Sequence, residues 1–182
     1  MGTLTFGLNV TLDGCCDHRA GVADGELLRY WTRLMDSAGA MLFGRTTYEL
    51  MEAAWPQVAR DSTAAPAERR WAQRLDAKPK YVVSTTRRDF PWRNTHRLDG
   101  DLARAVRALK RATPRGVLVG SPMLATALVR LGLVDEYRLL VHPVVAGHGP
   151  YLLASLEPSV RLGLVGTQRL RSGILALHYR RR

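Results

Sequence analysis

The sequence predicts an α/β domain: a largely parallel sheet covered by helices and finished by an antiparallel hairpin. Short apolar runs alternate with stretches whose apolar residues recur at helical spacing. Two of those runs end in glycine directly before a helix start, in Ala40-Met-Leu-Phe-Gly-Arg-Thr-Thr-Tyr-Glu49 and in Gly116-Val-Leu-Val-Gly-Ser-Pro122. From Val160 to Tyr179 the pattern changes to two successive strands meeting near Arg171-Ser-Gly173. With 182 residues and no internal repeat or flexible linker, the chain is expected to form a single domain over 1–182.

The elements follow in order. Leu4–Leu12 alternates as a strand, and Asp13-Gly14 ends it. After a polar loop, Asp24 can cap a helix whose Leu27, Leu28, Trp31, Leu34 and Met35 make one apolar face. Gly39 breaks toward the strand Ala40–Phe43. The next helix is expected to be capped by Thr46, with Glu49 closing a capping box and Pro56 stopping it. Pro66 starts a short helix presenting Trp71 and Leu75, and Lys80–Ser84 is a strand ending in the polar turn Ser84–Arg88. Asp99 or Gly100 opens a helix with Leu102, Val106 and Leu109 facing inward. Val117–Val119 is a very short buried strand. Ser121 as N-cap and Pro122 at the first helical position start the helix of Leu124, Leu128 and Leu131, which Gly132 terminates. The strand Tyr137–Pro143 then precedes the loop Gly147-His-Gly-Pro150.

Composition narrows the function. No apolar run reaches membrane-spanning length, and the N-terminus lacks the pattern of a signal peptide, so a cytoplasmic location is the default expectation. Cys15 and Cys16 are adjacent, which disfavours a disulfide between them; they read as loop residues or as a reactive thiol beside a cleft. The net charge of +11 comes mainly from arginine, the better residue for fork-like phosphate recognition, and it suits an anionic cofactor or substrate. The arginines are scattered, with no zinc-finger spacing or stacking platform, so nucleic acid is not the expected main partner.

Ligands of open α/β sheets gather outside the carboxyl ends of the strands. Asn9–Gly14, Gly44–Thr46, Ser84–Arg88 and Gly120–Ser121 are expected to meet there. The Gly44 and Gly120 junctions each offer unpaired backbone N–H groups at a helix start, and two such corners point to a dinucleotide. Arg45 is a candidate for a ribose phosphate, with Ser84, Thr85 and Arg87 one strand over. GxGxxG and P-loop fingerprints are absent. Asp13 and Asp24 are the candidate proton donors, although each also reads as a turn or cap residue. His18, Trp31, Met51 and Trp55 are candidate substrate contacts, the aromatic ones equally readable as core. His142 reads as a packed histidine, and no group of residues has metal-ligand spacing.

The ordered set Asn9-Val-Thr-Leu-Asp-Gly14, Met41-Leu-Phe-Gly-Arg-Thr-Thr-Tyr-Glu49, Val82-Val-Ser-Thr85, Gly116–Ser121, Gly132–Leu139 and Val141-His-Pro-Val-Val-Ala-Gly-His-Gly149 resembles the dihydrofolate reductase-like superfamily. More closely it resembles the C-terminal reductase domain of the bifunctional riboflavin-biosynthesis deaminase/reductase. The resemblance implies a three-layer α-β-α fold, NADPH as hydride donor and a homodimer. It places Gly44, Arg45 and Thr46 at the adenosine-side phosphates and Ser84 and Thr85 near the adenosine half. Gly120 and Ser121 fall near the diphosphate, and the backbone of Leu8 and Asn9 near nicotinamide. The sequence departs in lacking a deaminase domain, in Ser121 where many relatives carry glycine, and in lacking a clear folate-binding carboxylate. The expected activity is NADPH-dependent reduction of a planar heterocycle, with the riboflavin-pathway pyrimidine as best named example. The alternatives are a pterin or small-carbonyl reductase, a silent NADPH-binding protein and a nucleic-acid-associated basic protein.

Overall fold

The computed structural model describes all residues from Met1 to Arg182. In chain order the elements are β1 (Leu4–Thr11), α1 (Gly25–Ser37), β2 (Ala40–Gly44), α2 (Arg45–Arg60), α3 (Pro66–Ala77), β3 (Lys80–Val83) and β4 (Thr95–Arg97). They continue as α4 (Leu102–Ala112), β5 (Val117–Val119), α5 (Pro122–Arg130), β6 (Glu136–His142), β7 (Leu162–Arg169) and β8 (Leu175–Arg181). One eight-stranded sheet has the order β4-β3-β2-β5-β1-β6-β8-β7. Every pairing from β4 to β6 is parallel, and β8 joins β6 and β7 antiparallel, as the sequence predicts.

Alternation along the strands builds the two outer layers. Phe43 and Leu118 point to one face, where they meet Met35 of α1, Tyr48 of α2, and Trp71 and Leu75 of α3. Leu42 and Val119, their chain neighbours, point to the other, against Val106 and Leu109 of α4 and Leu124 and Leu128 of α5. The three residues of β5 are all buried because helices cover both of its faces, which explains why its run is wholly apolar. Leu140, Ala176, Leu170 and Ile174 form a smaller core with Leu27, under the start of α1.

Local signals act largely as read. Asp24 accepts from the Leu27 N–H at 2.7 Å and caps α1. Gly132, at φ +65°, follows α5. Its N–H donates to the Val129 carbonyl at 2.9 Å while the Leu133 N–H reaches Leu128 at 3.0 Å, the paired bonds of a Schellman ending.

Three expectations need correction, and one strand escapes the sequence patterns. Helix α2 starts at Arg45, with Gly44 in the cap position, so Thr46 lies inside it and Glu49 closes no capping box; Glu49 pairs with Arg45 instead. Pro56 does not stop α2. It removes one N–H from the ladder, but Trp55 packs edge-on against Trp71 at 6.1 Å and keeps the last turn docked on α3. The cap of α4 is Asp101, which accepts from Arg104 N–H at 2.8 Å, two residues beyond Asp99. Finally, Thr95–Arg97 is an edge strand that pairs with β3, too short and too polar to carry a strand signature.

Lys80, the first residue of β3, is fully buried. Its ammonium donates to the carbonyls of Leu75, Asp76 and Lys78 at 2.9–3.0 Å and lies 4.5 Å from the Trp92 ring centre. Burial pushes its pKa down from 10.5 to about 8. Between those values the unfolded chain binds a proton that the folded chain does not, so stability attributable to this group rises with pH. In thermal melts the wild type should therefore gain stability relative to Lys80→Met between about pH 8 and about pH 10, whereas parallel pH curves would show that Lys80 titrates normally.

Candidate cofactor site at the carboxyl edge

Strand β5 lies between β2 and β1. The helices that follow β1 and β2 cover one face of the sheet, and the helix that follows β5 covers the other. Chains leaving neighbouring strand ends in opposite directions open a crevice at that edge, the place where open α/β sheets bind ligands. Gly44, at the end of β2, and Gly120, just beyond β5, therefore stand at the same edge, one strand apart.

A direct hydrogen bond joins the two corners. The Gly44 N–H donates to Ser121 Oγ at 2.9 Å, and Ser121 is buried. Ser121 occupies the cap position of α5 as read, but its hydroxyl is committed to β2 and caps nothing in its own helix. Helix α2 also begins without a side-chain cap. Two helix starts with unpaired N–H groups and two positive dipole ends thus sit side by side, a donor set that fits a diphosphate. The glycines differ in role. A Cβ on Gly44 would meet Leu124 and Ser121 at 3.5–3.8 Å, ordinary contact distance where β2 packs on α5. A Cβ on Gly120 would find only the Gly7 carbonyl, at 3.6 Å, and would otherwise project into open space.

Beside these corners, Arg45 and Arg87 come together from α2 and from the turn after β3. Arg45 Nη1 lies 3.1 Å from Glu49 Oε2, and Arg87 Nη1 lies 3.8 Å from Glu49 Oε1. Arg87 Nη2 also pairs with Glu52 at 2.8 Å, and its guanidinium lies 5.0 Å from the Tyr48 ring centre and 5.5 Å from that of Phe90. Tyr48 donates to Glu52 at 2.7 Å, and burial followed by that carboxylate pushes its pKa up to about 12. Ser84 Oγ accepts from the N–H groups of Thr86 and Arg87 at 3.3 and 2.8 Å, so it shapes the turn that presents Arg87; Thr85 is exposed at its tip. Thr46 sits in the exposed first turn of α2.

On β1, Leu8 packs toward the α5 layer, and Asn9 Oδ1 accepts from Trp31 Nε1 at 2.9 Å. The Trp31 ring lies directly on Gly7, where a Cβ would come within 2.8 Å of it. Gly7 is the site residue that sequence reasoning missed, and its signal was a glycine inside a strand. Met51 and Trp55 pack into the core that α1, α2 and α3 share, and Trp55, ten residues along α2 from Arg45 and hence roughly 15 Å up the helix, is not brought to this edge.

Both candidate acids are occupied. Asp13 accepts from the Thr11 hydroxyl and from the N–H groups of Ala146 and Gly147 at 3.1 and 2.8 Å. These bonds, led by that of Thr11, lower its pKa to about 2. It is ionised at neutral pH and clips the loop after β1 to the loop after β6. Asp24 is likewise held below its ordinary value, chiefly by the Leu27 N–H it caps. Neither carboxyl carries a proton to give at neutral pH.

His18 is 70% exposed and 3.6 Å from Asp17. It borders a space of about 10 Å³ shared with Asn9, Asp17, Gly21 and His142. His142 is buried, accepts from the Val22 N–H through Nδ1 at 2.9 Å, and leaves Nε2 without a partner. Burial pushes its pKa down, so the ring is neutral at pH 7. Cys15 is buried; the Cys16 thiol lies 3.1 Å from the Pro150 carbonyl, and burial pushes its pKa up, opposite to what a reactive thiolate needs. A cavity of about 230 Å³ lies at the other end of the sheet among Thr3, Thr5, Arg115 and Arg138, where no strand runs into a helix.

The sheet order, the antiparallel hairpin and the uncapped corners define a three-layer α/β domain of the dihydrofolate reductase-like class. The RibD C-terminal domain profile matches residues 3–176, and the chain belongs to that family. It is 28% identical to the uncharacterized protein YyaP of Bacillus subtilis (strain 168) over 94% of this chain and 91% of YyaP. Its fold matches a Shewanella sp. PV-4 protein named for riboflavin biosynthesis with a TM-score of 0.74 at 18% identity, covering 100% and 99% of the two chains. A Thermotoga maritima diaminohydroxyphosphoribosylaminopyrimidine deaminase/5-amino-6-(5-phosphoribosylamino)uracil reductase matches with a TM-score of 0.68 at 15% identity. All of this chain aligns there with 57% of that longer protein. A reductase-type domain of the riboflavin-biosynthesis kind is therefore the framework, and no helix is long and apolar enough to cross a membrane.

Removing the Ser121 hydroxyl leaves the Gly44 N–H without its acceptor. Ser121→Ala should lower unfolding stability by about 1–3 kcal/mol and speed hydrogen exchange at Gly44; an unchanged Gly44 amide would show that the corners are not pinned this way.

Proposed function

We propose that the protein is an NADPH-dependent reductase acting on a planar heterocycle, with an activity like that of a riboflavin-pathway 5-amino-6-(5-phosphoribosylamino)uracil reductase. The observation that carries this reading is the pair of uncapped helix starts joined through Gly44 and Ser121. The first-turn N–H groups of α2 and α5 would hold the diphosphate. Arg45 and Arg87 would face the ribose phosphate, with Thr46 and Thr85 exposed beside them. The β1 backbone at Leu8 and Asn9 would lie along the nicotinamide, its position fixed by the Trp31–Asn9 bond and by the ring resting on Gly7.

NADPH, when bound, supplies the hydride; the chain supplies alignment and a shielded site. With Asp13 and Asp24 ionised, neither protonates the product. Asp13 instead fixes the 144–151 loop beside the β1 end, so its part is to shape the wall of the substrate space. The reading includes a homodimer, supported by Leu164, Val165 and Leu175, which the C-terminal hairpin leaves 44–59% exposed.

Titration by nucleotide fluorescence should show NADPH binding several-fold more tightly than NADH, with the preference lost in Arg45→Ala. Oxidation of NADPH should then depend on an added aminopyrimidine rather than on dihydrofolate or simple carbonyls. Binding of neither nucleotide would overturn the reading. Light scattering should give twice the chain mass, and a monomer at micromolar concentration would remove the dimer.

A further inference from the structure

Glu49 is the point on which both arginines of the proposed ribose-phosphate corner converge. Its two carboxylate oxygens face Arg45 Nη1 at 3.1 and 3.3 Å and Arg87 Nη1 at 3.8 Å. Arg45 comes from the first turn of α2 and Arg87 from the turn after β3, so an ordinary i,i+4 helix pair explains only half of the arrangement. Glu52 holds the opposite side of Arg87 at 2.8 Å and is itself fixed by Tyr48, which makes it a permanent partner. Glu49 has no such anchor, and its side chain is 37% exposed.

The four charges sum to zero, so the corner as it stands offers a dianionic phosphate no net attraction. A phosphate that takes the Nη1 donors of Arg45 and Arg87 competes with Glu49 for them. A ribose that carries only a 2′-hydroxyl has no such conflict, because a carboxylate at this position accepts its hydrogen bond, as acidic residues do in NAD-binding sheets.

We propose that Glu49 is the specificity-determining residue of this corner: it occupies the Arg45–Arg87 pair in place of a 2′-phosphate and so limits the preference for NADPH over NADH. With Glu49 turned away, both guanidinium Nη1 groups are free for the phosphate while Glu52 keeps Arg87 in position. With Glu49 in place, the corner is neutral and hydroxyl-accepting. The inference rests on the dinucleotide reading above and deepens it.

The test compares wild type and Glu49→Gln by calorimetric titration with NADPH, NADH, adenosine 2′-monophosphate and adenosine 5′-monophosphate. Glutamine keeps the shape and removes the charge, and the exposed position on α2 leaves the fold intact, which a thermal melt checks. An exposed ion pair is weak and like charges a few ångström apart repel modestly, so Glu49→Gln should tighten NADPH and the 2′-monophosphate about three- to tenfold. NADH and the 5′-monophosphate should bind no better. Wild type that prefers NADPH, joined to a variant whose NADPH affinity is equal or weaker, overturns the role of Glu49 and leaves the dinucleotide reading standing. Tightening of all four nucleotides alike also overturns it, since that would be a general charge effect. Wild type that binds neither dinucleotide overturns both.

Discussion

The architecture depends on keeping two strand ends in contact while their helices depart to opposite faces of the sheet. The Gly44 N–H to Ser121 Oγ bond holds that point. A serine that capped its own helix would leave the end of β2 with an unpaired, half-buried donor. By committing the hydroxyl across the crevice, the fold leaves two helix starts unsatisfied by protein, an arrangement that is stable only where solvent or an anionic ligand completes it. The packing of the two strand ends and the openness of the two helix starts are therefore set by the same few atoms.

Much of this was legible in the residues. The Gly44 and Gly120 corners, the helix at Pro122 and the final hairpin all follow from local patterns: glycine after an apolar run, proline at a first helical position, and alternation at the chain's end. What escaped depends on contacts between segments distant in sequence. Thr46 and Glu49 have the right types and spacing for a capping box, but the helix begins two residues earlier and Arg45 takes the carboxylate. Pro56 stops a helix by local rules, and tertiary packing on α3 overrode them. Gly7 gave only a faint signal because its meaning lies in a tryptophan on another element.

The carboxylates show the same limit more sharply. Asp13 and Asp24 could each be read as an acid or as a turn and cap residue, and their partners decide the matter. Asp13 finds its backbone donors more than 130 positions away, in a loop whose closeness no local pattern announces. Asp24 finds its donor three residues on, where the cap was readable from the start. Both end up stabilised as anions, so the same bonds that order the loops around the crevice remove them from acid chemistry.

The contact between Trp31 and Asn9 has a practical consequence. An indole whose N–H is bonded at the very strand that borders the crevice has an emission wavelength that shifts with the polarity around that strand. The other tryptophans, at 55, 71 and 92, lie around the buried packing of α2 and α3. With those three replaced by phenylalanine, the protein would carry a single tryptophan, at the crevice edge, and its emission, excited apart from the tyrosines, could be followed without any attached dye.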